Sequence, residues 1–184
     1  MVQRNRIFSA SLLCAFSVWV ISCTGSADVQ SDSQTSPYFG LEAYFNSEAT
    51  RLQERAPTVT KTVSKNGETE THDVRIGNWQ NELALFIESD INKPAWQHSY
   101  QVDSTASLLT YTAIDPDLRT EQITVEKDTN GHIKRIRIVN KVQNMLYQTG
   151  EQLDYYPDSL YRIIRKQRVQ IIGESNYAVS AFIR

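Results

Sequence analysis

The feature that most constrains this chain is a change of period. From Tyr100 to the C-terminus the apolar residues recur every second position, broken by turn residues at intervals of about a dozen. A period of two places successive side chains on opposite faces of a strand, so a run of such segments joined by short turns folds as an antiparallel meander. The predicted strands cover 108–114, 119–127, 132–142, 145–149, 152–155, 160–172 and 177–183. Asp115 with Pro116, Asn130 with Gly131, Gly150, Pro157 with Asp158, and Gly173 supply the corners.

Before Tyr100 the pattern is mixed. Ser36 and Pro37 read as an N-cap followed by proline at the first helical position, and Tyr38, Leu41, Phe45, Ala49 and Leu52 follow at helical spacing to about Arg55. Pro57 ends that helix. Residues 58–65 alternate and are rich in β-branched side chains, Asn66 and Gly67 give a tight hairpin signal, and 68–76 form the return strand. Asn78 is placed to cap a second helix with Trp79, Leu83, Phe86, Ile87 and Ile91 along one stripe, ending at Lys93 before Pro94. The fold class that results is α+β, with two N-terminal helices packed on one face of a curved antiparallel meander sheet.

The first 36 residues have a different composition. Arg4 and Arg6 precede an apolar run from Ile7 to Ile21, followed by Ser22 and Cys23. The run holds Ser9, Ser11 and Ser17, and a helix crossing a bilayer needs about 20 predominantly apolar residues, so secretory-leader grammar fits better than a span. Val20, Ile21, Ser22 and Cys23 resemble the lipobox of bacterial lipoproteins. That resemblance covers only the leader. It implies cleavage before Cys23, a diacylglyceryl group on the cysteine sulfur and attachment of the mature chain to a membrane. Each buried methylene contributes about 0.8 kcal/mol, so two or three acyl chains hold where one does not. In the enterobacterial lipoproteins that this leader resembles, Asp after the cysteine favours the inner membrane; Thr24 stands there in this chain, which directs the expectation to the outer membrane. Residues 24–36 are Gly, Ser, Asp, Gln and Thr with little else, a solvated tether. The expected organisation is a leader over 1–22, a tether from Cys23 to residue 36, and one domain over 37–184. The segment from Ser89 to Trp96 is weakly similar to uncharacterised lipoproteins of the Bacteroidota, a likeness that implies no activity.

Chemistry is excluded more readily than assigned. The chain has two cysteines, Cys14 within the leader and Cys23 at the cleavage point, so the expected mature protein keeps no free thiol. His72, His98 and His132 stand singly, without the spacing that sets two imidazoles on one helix face, and neither a metal nor a cofactor is expected. There is no glycine-flanked nucleophilic serine, phosphate loop or dinucleotide fingerprint. Glu82, Glu88 and Asp90 lie close in sequence and read either as an acid–base pair or as helix solvation and capping. Tyr100, Tyr111, Tyr147, Tyr155, Tyr156, Tyr161 and Tyr177 either line a ligand surface or pack beneath the helices.

Charge is unevenly distributed. Residues 23–131 carry 8 Lys or Arg against 17 Asp or Glu, whereas 132–184 carry 9 against 4. Alternation puts Arg135 and Arg137 on one face of their strand, and Arg162, Lys166 and Arg168 share a parity on another. They either form a surface for an anionic partner or serve as solvated, edge-guarding charges. Because the exported part is acidic overall, nucleic acid is not an expected partner. The functional expectation is a non-enzymatic binding or interaction module anchored in the envelope, facing a protein, glycan or lipid. The alternative is a carrier or sensor holding an apolar ligand between sheet and helices, and a hydrolase without a visible motif is the third class.

Overall fold

The computed structural model describes residues 36–184. Its first hairpin follows directly from local chemistry. β1 (Thr58–Lys65) is β-branched at Thr58, Val59, Thr60, Thr62 and Val63, β2 (Glu68–Arg75) returns in register, and Lys65 pairs with Glu68 across two turn residues. Both turn residues have positive φ, 52° at Asn66 and 96° at Gly67, the backbone that a tight hairpin between right-twisted strands demands.

Seven further strands make the meander: β3 (Tyr100–Ser104), β4 (Leu108–Ala113), β5 (Thr120–Lys127), β6 (Ile133–Gln143), β7 (Tyr147–Tyr156), β8 (Leu160–Val169) and β9 (Gly173–Ile183). Each pairs antiparallel with the next, and β9 then pairs with β1. The sheet is therefore nine strands in the order β2-β1-β9-β8-β7-β6-β5-β4-β3. A bulge between Thr120 and Gln122 adds one residue to β5 opposite β6.

Register decides which side chains are buried. Tyr111, Ile123, Ile138, Leu153, Ile163 and Val179 follow one another across β4 to β9 on one face, and the first four of these are buried or nearly so. Against them pack α1 (Leu41–Arg55) and two single turns, α2 (Trp79–Glu82) and α3 (Ala84–Ile87). Leu41, Phe45, Ala49 and Leu52 of α1 are all buried, at the helical spacing that the sequence carries. The Phe45 ring centroid lies 4.8 Å from Phe86 and 5.1 Å from Tyr155, and the Trp79 and Tyr161 rings meet edge-on at 6.4 Å. These are the distances of tilted and T-shaped aromatic packing, so rings fill the space between helix and strand.

Polar groups stitch the helices to the sheet. Tyr155 donates its hydroxyl proton to Glu48 of α1, and Tyr161 donates to Glu82 of α2, which also receives Lys61 Nζ at 2.7 Å. Burial is the main cause that pushes both tyrosine hydroxyls far above their ordinary pKa, and the neighbouring carboxylate adds to it.

Four local expectations are corrected. The first helix begins at Leu41 rather than near Pro37, because tertiary bonds claim the backbone before it. The Tyr38 N–H donates to Asn92 Oδ1, the Phe39 N–H to Tyr111 Oη, and the carbonyls of both residues accept from Asn92 Nδ2. The second helix is broken at Leu83, whose φ and ψ of -95° and 8° leave the helical region, and α3 ends at Ile87, short of Ile91. Gly150 is not a corner: 147–156 is one continuous strand, and the turn before it is 144–146, fixed by Asn144 Oδ1 accepting from the N–H groups of Leu146 and Tyr147. Consequently Met145 and Leu146, and likewise Ile171 and Ile172, lie in turns rather than in strands.

Candidate binding site

Antiparallel pairing brings the ends of β4, β6 and β8 and the beginnings of β5, β7 and β9 to one end of the sheet. Toward that end the buried face changes from rings to polar side chains. Asn140, Glu151 and Arg165 stand in register across β6, β7 and β8, with Val142, Thr149 and Gln167 as the next rung. Glu151 is 8% exposed, and a carboxylate buried to that extent requires partners. Arg165 donates from Nε at 2.7 Å and from Nη2 at 2.6 Å to Oε1, while Arg119 Nη2 lies 3.4 Å from Oε2. Arg119 also reaches Glu88, at 3.9 Å.

Asn140, 1% exposed, donates from Nδ2 to Ser89 Oγ at 2.9 Å, and Ser89 passes its own proton to the Leu85 carbonyl. The Asn140 Oδ1 acceptor is buried without a hydrogen-bond partner among the described residues. These side chains border an open cleft of about 190 Å³ whose lining includes Arg119, Asn140, Tyr147, Thr149, Glu151 and Arg165. It adjoins, through Arg119, Lys141 and Val142, a larger cleft of about 740 Å³ between the 116–119 and 141–145 segments. Both are open and bordered largely by polar and cationic groups.

The opposite face carries the five cations singled out from sequence. Register puts Arg135 and Arg137 of β6 and Arg162, Lys166 and Arg168 of β8 on this same face. Most of them are answered by carboxylates. Arg135 is paired with Glu126, Arg137 Nε with Asp154 Oδ1 at 2.6 Å, and Arg168 with Glu174. Arg162 and Lys166 have no ion pair among the described residues. Between Lys141 and Lys166 in register lies Gly150, and the missing side chain leaves a cleft of about 280 Å³ floored by Gly150 and walled by Val139, Ile164, Gln148 and Gln152. Lys141 is 3.6 Å from Glu121, and Lys166 stands alone at the other rim.

The remaining candidates separate. Glu82 holds Lys61 and Tyr161, Glu88 faces Arg119, and Asp90 caps α1 from outside it. Asp90 Oδ2 accepts from the Glu42 N–H at 2.8 Å and Oδ1 from the Asn92 N–H at 2.6 Å. The three carboxylates thus form no acid–base pair. His72 and His132 are exposed beside Glu70 and Asp128 respectively, and His98 is exposed in a turn. Among the described residues no group of three or more His, Cys, Asp or Glu side chains is arranged to hold a metal. Of the tyrosines, Tyr155 and Tyr161 are buried against the helices, Tyr100 and Tyr111 are buried against Tyr38 ahead of α1, and Tyr147 and Tyr177 are exposed.

Val20, Ile21, Ser22 and Cys23 lie outside the described residues, as does the tether. No helix among the described residues is long and apolar enough to cross a membrane. Arg119, Asn140, Glu151 and Arg165 were not anticipated from the sequence. Their one signal is polar residues at core parity on three neighbouring strands, which becomes visible only once the register is known. Comparison with protein-family models, with curated proteins and with solved structures finds no match for this chain.

Proposed function

We propose that the chain is an envelope lipoprotein, acylated on Cys23 and anchored in the outer membrane, whose domain is a non-enzymatic binding module for an anionic partner. In this reading α1, α2 and α3 cover one face of a curved sheet and leave the far end and the opposite face for recognition. The observation that carries it is where space and charge coincide. The clefts gather at the ends of β6, β7 and β8 with Arg119, Lys141, Arg165 and Lys166 at their borders, while aromatic rings occupy the region beneath the helices. Such borders suit phosphate- or carboxylate-bearing glycolipids, acidic glycans or an acidic protein segment, because guanidinium and ammonium groups supply several donors and a positive potential. Tyr155 and Tyr161, whose hydroxyls are pushed up by burial, are held in the core by Glu48 and Glu82 and do not border the clefts.

Two measurements test this reading. Cys23→Ser should abolish palmitate incorporation and leave the domain folded; labelling that persists in the variant refutes the anchor. Binding to phosphate-bearing lipopolysaccharide, measured against a dephosphorylated preparation, should weaken about threefold to tenfold in Arg162→Gln with Lys166→Gln and fall with added salt. Equal binding to both preparations would refute the anionic partner. An apolar ligand retained in native mass spectra would instead favour the carrier.

A further inference from the structure

Two neighbouring hairpin tips at the cleft end of the sheet carry four large aliphatic side chains into solvent. Met145 is 87% and Leu146 68% exposed in the β6–β7 turn; Ile171 is 93% and Ile172 82% exposed in the β8–β9 turn. The Gln170 N–H donates to the Leu146 carbonyl at 3.2 Å, so the tips stand side by side. Ile114, 65% exposed, occupies the β4–β5 turn at the same end. Single exposed aliphatics are ordinary on a protein surface, whereas a contiguous set marks a contact with an apolar medium. Neither turn needs these residues for its own geometry. Asn144 closes the first by two side-chain bonds, and Gly173, with φ of 96°, closes the second.

Shape and charge indicate which medium. Tips are convex, and a fluid interface conforms to a protrusion that a flat protein surface would not enclose. Behind the tips stand Lys141, Lys166 and Arg168, with Glu174 paired to Arg168 and Asp117 at the rim of the large cleft. At about 3.3 Å per strand residue, Arg168 and Lys166 lie roughly 3 and 10 Å behind Val169, where β8 gives way to the turn. That spacing leaves the cations level with the headgroups when the tips enter the margin of a bilayer. The chain also enters the domain at this end. Tyr38 packs edge-on against Tyr100 and Tyr111 at 5.6 and 5.4 Å and donates to the carbonyls of Trp96 and Gln97, just before β3. Tyr100 opens β3 opposite Ala113, the last residue of β4, at the same end as both tips.

We propose that Met145, Leu146, Ile171 and Ile172 insert into the margin of a bilayer bearing anionic headgroups, with Lys141, Lys166 and Arg168 against those headgroups. The surface stands apart from acylation of Cys23 and orients the domain whether or not that cysteine is modified. The test uses the chain from residue 23 with Cys23→Ser, which keeps the whole core, from Tyr38 to Ile183. It should sediment with vesicles of phosphatidylcholine and phosphatidylglycerol. Binding should fall at least about tenfold in Met145→Ser with Leu146→Ser, and again in Ile171→Ser with Ile172→Ser, with unchanged melting because the positions are exposed. A fluorophore on Ile172→Cys, the only thiol in that chain, should shift to the blue on vesicles. Absence of vesicle binding by the parent chain overturns the proposal, as does wild-type binding by both serine pairs. A concentration-dependent dimer dispersed by the serine pairs, without vesicle binding, would assign the tips to a second copy and overturn it equally.

Discussion

Raising the pH should unfold this protein through its buried tyrosines. Tyr100, Tyr155 and Tyr161 are at most 5% exposed. Burial pushes the Tyr100 hydroxyl up to about 12, with the neighbouring Tyr38 adding to it. It pushes Tyr155 and Tyr161 higher still, reinforced by Glu48 and Glu82, and Tyr111 moves in the same direction. In each case the folded chain holds its proton to a higher pH than the unfolded chain does. Their contribution is therefore complete below the ordinary tyrosine value near 10 and is lost as pH rises beyond it. At one pH unit above 10 each such group costs about 1.4 kcal/mol, so the three together remove about 4 kcal/mol. Against a total stability of roughly 5–15 kcal/mol that is a large fraction. Urea melts from pH 9 to 11.5 should show a flat stability followed by a steep fall above about pH 10, and the tyrosinate absorbance of the core should appear together with unfolding. Tyr155→Phe should lower stability at neutral pH and make the alkaline fall shallower. If the core tyrosines ionise near pH 10 while the tertiary signal persists, the burial argument is refuted.

Phe45→Ala removes a ring that meets Phe86 and Tyr155, and should cost about 3–5 kcal/mol by chemical denaturation, with a loss under about 1 kcal/mol showing that the helix is not clamped there. Asp90→Ala leaves the Glu42 and Asn92 N–H groups without their acceptor and should cost about 1–3 kcal/mol, with early fraying of α1 in amide exchange. Gly150→Thr fills the dent between Lys141 and Lys166, where a Cβ meets nothing within 4 Å; it should raise stability by about 0.5–1 kcal/mol while weakening binding of the anionic partner, as melting and titration would show.

Local signals are legible where local chemistry decides. The β1–β2 hairpin is written in its Asn66–Gly67 pair and β-branched flanks, and Leu41, Phe45, Ala49 and Leu52 announce the buried stripe of α1. Parity groups Arg135 with Arg137, and Arg162 with Lys166 and Arg168, since alternation survives small errors in strand ends; that the two groups share a face follows from register. What alternation does not contain is the partner. Three of these cations are answered by Glu126, Asp154 and Glu174, which depends on register across strands. The start of α1 is not legible in the sequence because Asn92, more than fifty residues on, takes the backbone groups of Tyr38 and Phe39. β3 is absent from the predicted strands because Tyr100 alone in its five residues is buried, so its alternation carries no apolar signal. Gly150 has the residue type of a corner, yet it lies mid-strand, where its role is the absence of a side chain. The Arg119–Glu151–Arg165 cluster joins a turn and two strands and has no signature along the chain.

The pairing of β1 with β9 makes a strand synthesised more than a hundred residues later the neighbour of the β1–β2 hairpin. More than a hundred residues separate Val59 from Ile183, so closing that seam is the slow, entropically costly step of assembly. A nascent chain stalled before Gly173 would present β1 and β8 as bare edges open to pairing with other molecules. Biosynthesis of this protein thus depends on keeping the unfinished polypeptide isolated until β9 arrives, and loss of β9 should lead to aggregation rather than to a smaller folded product.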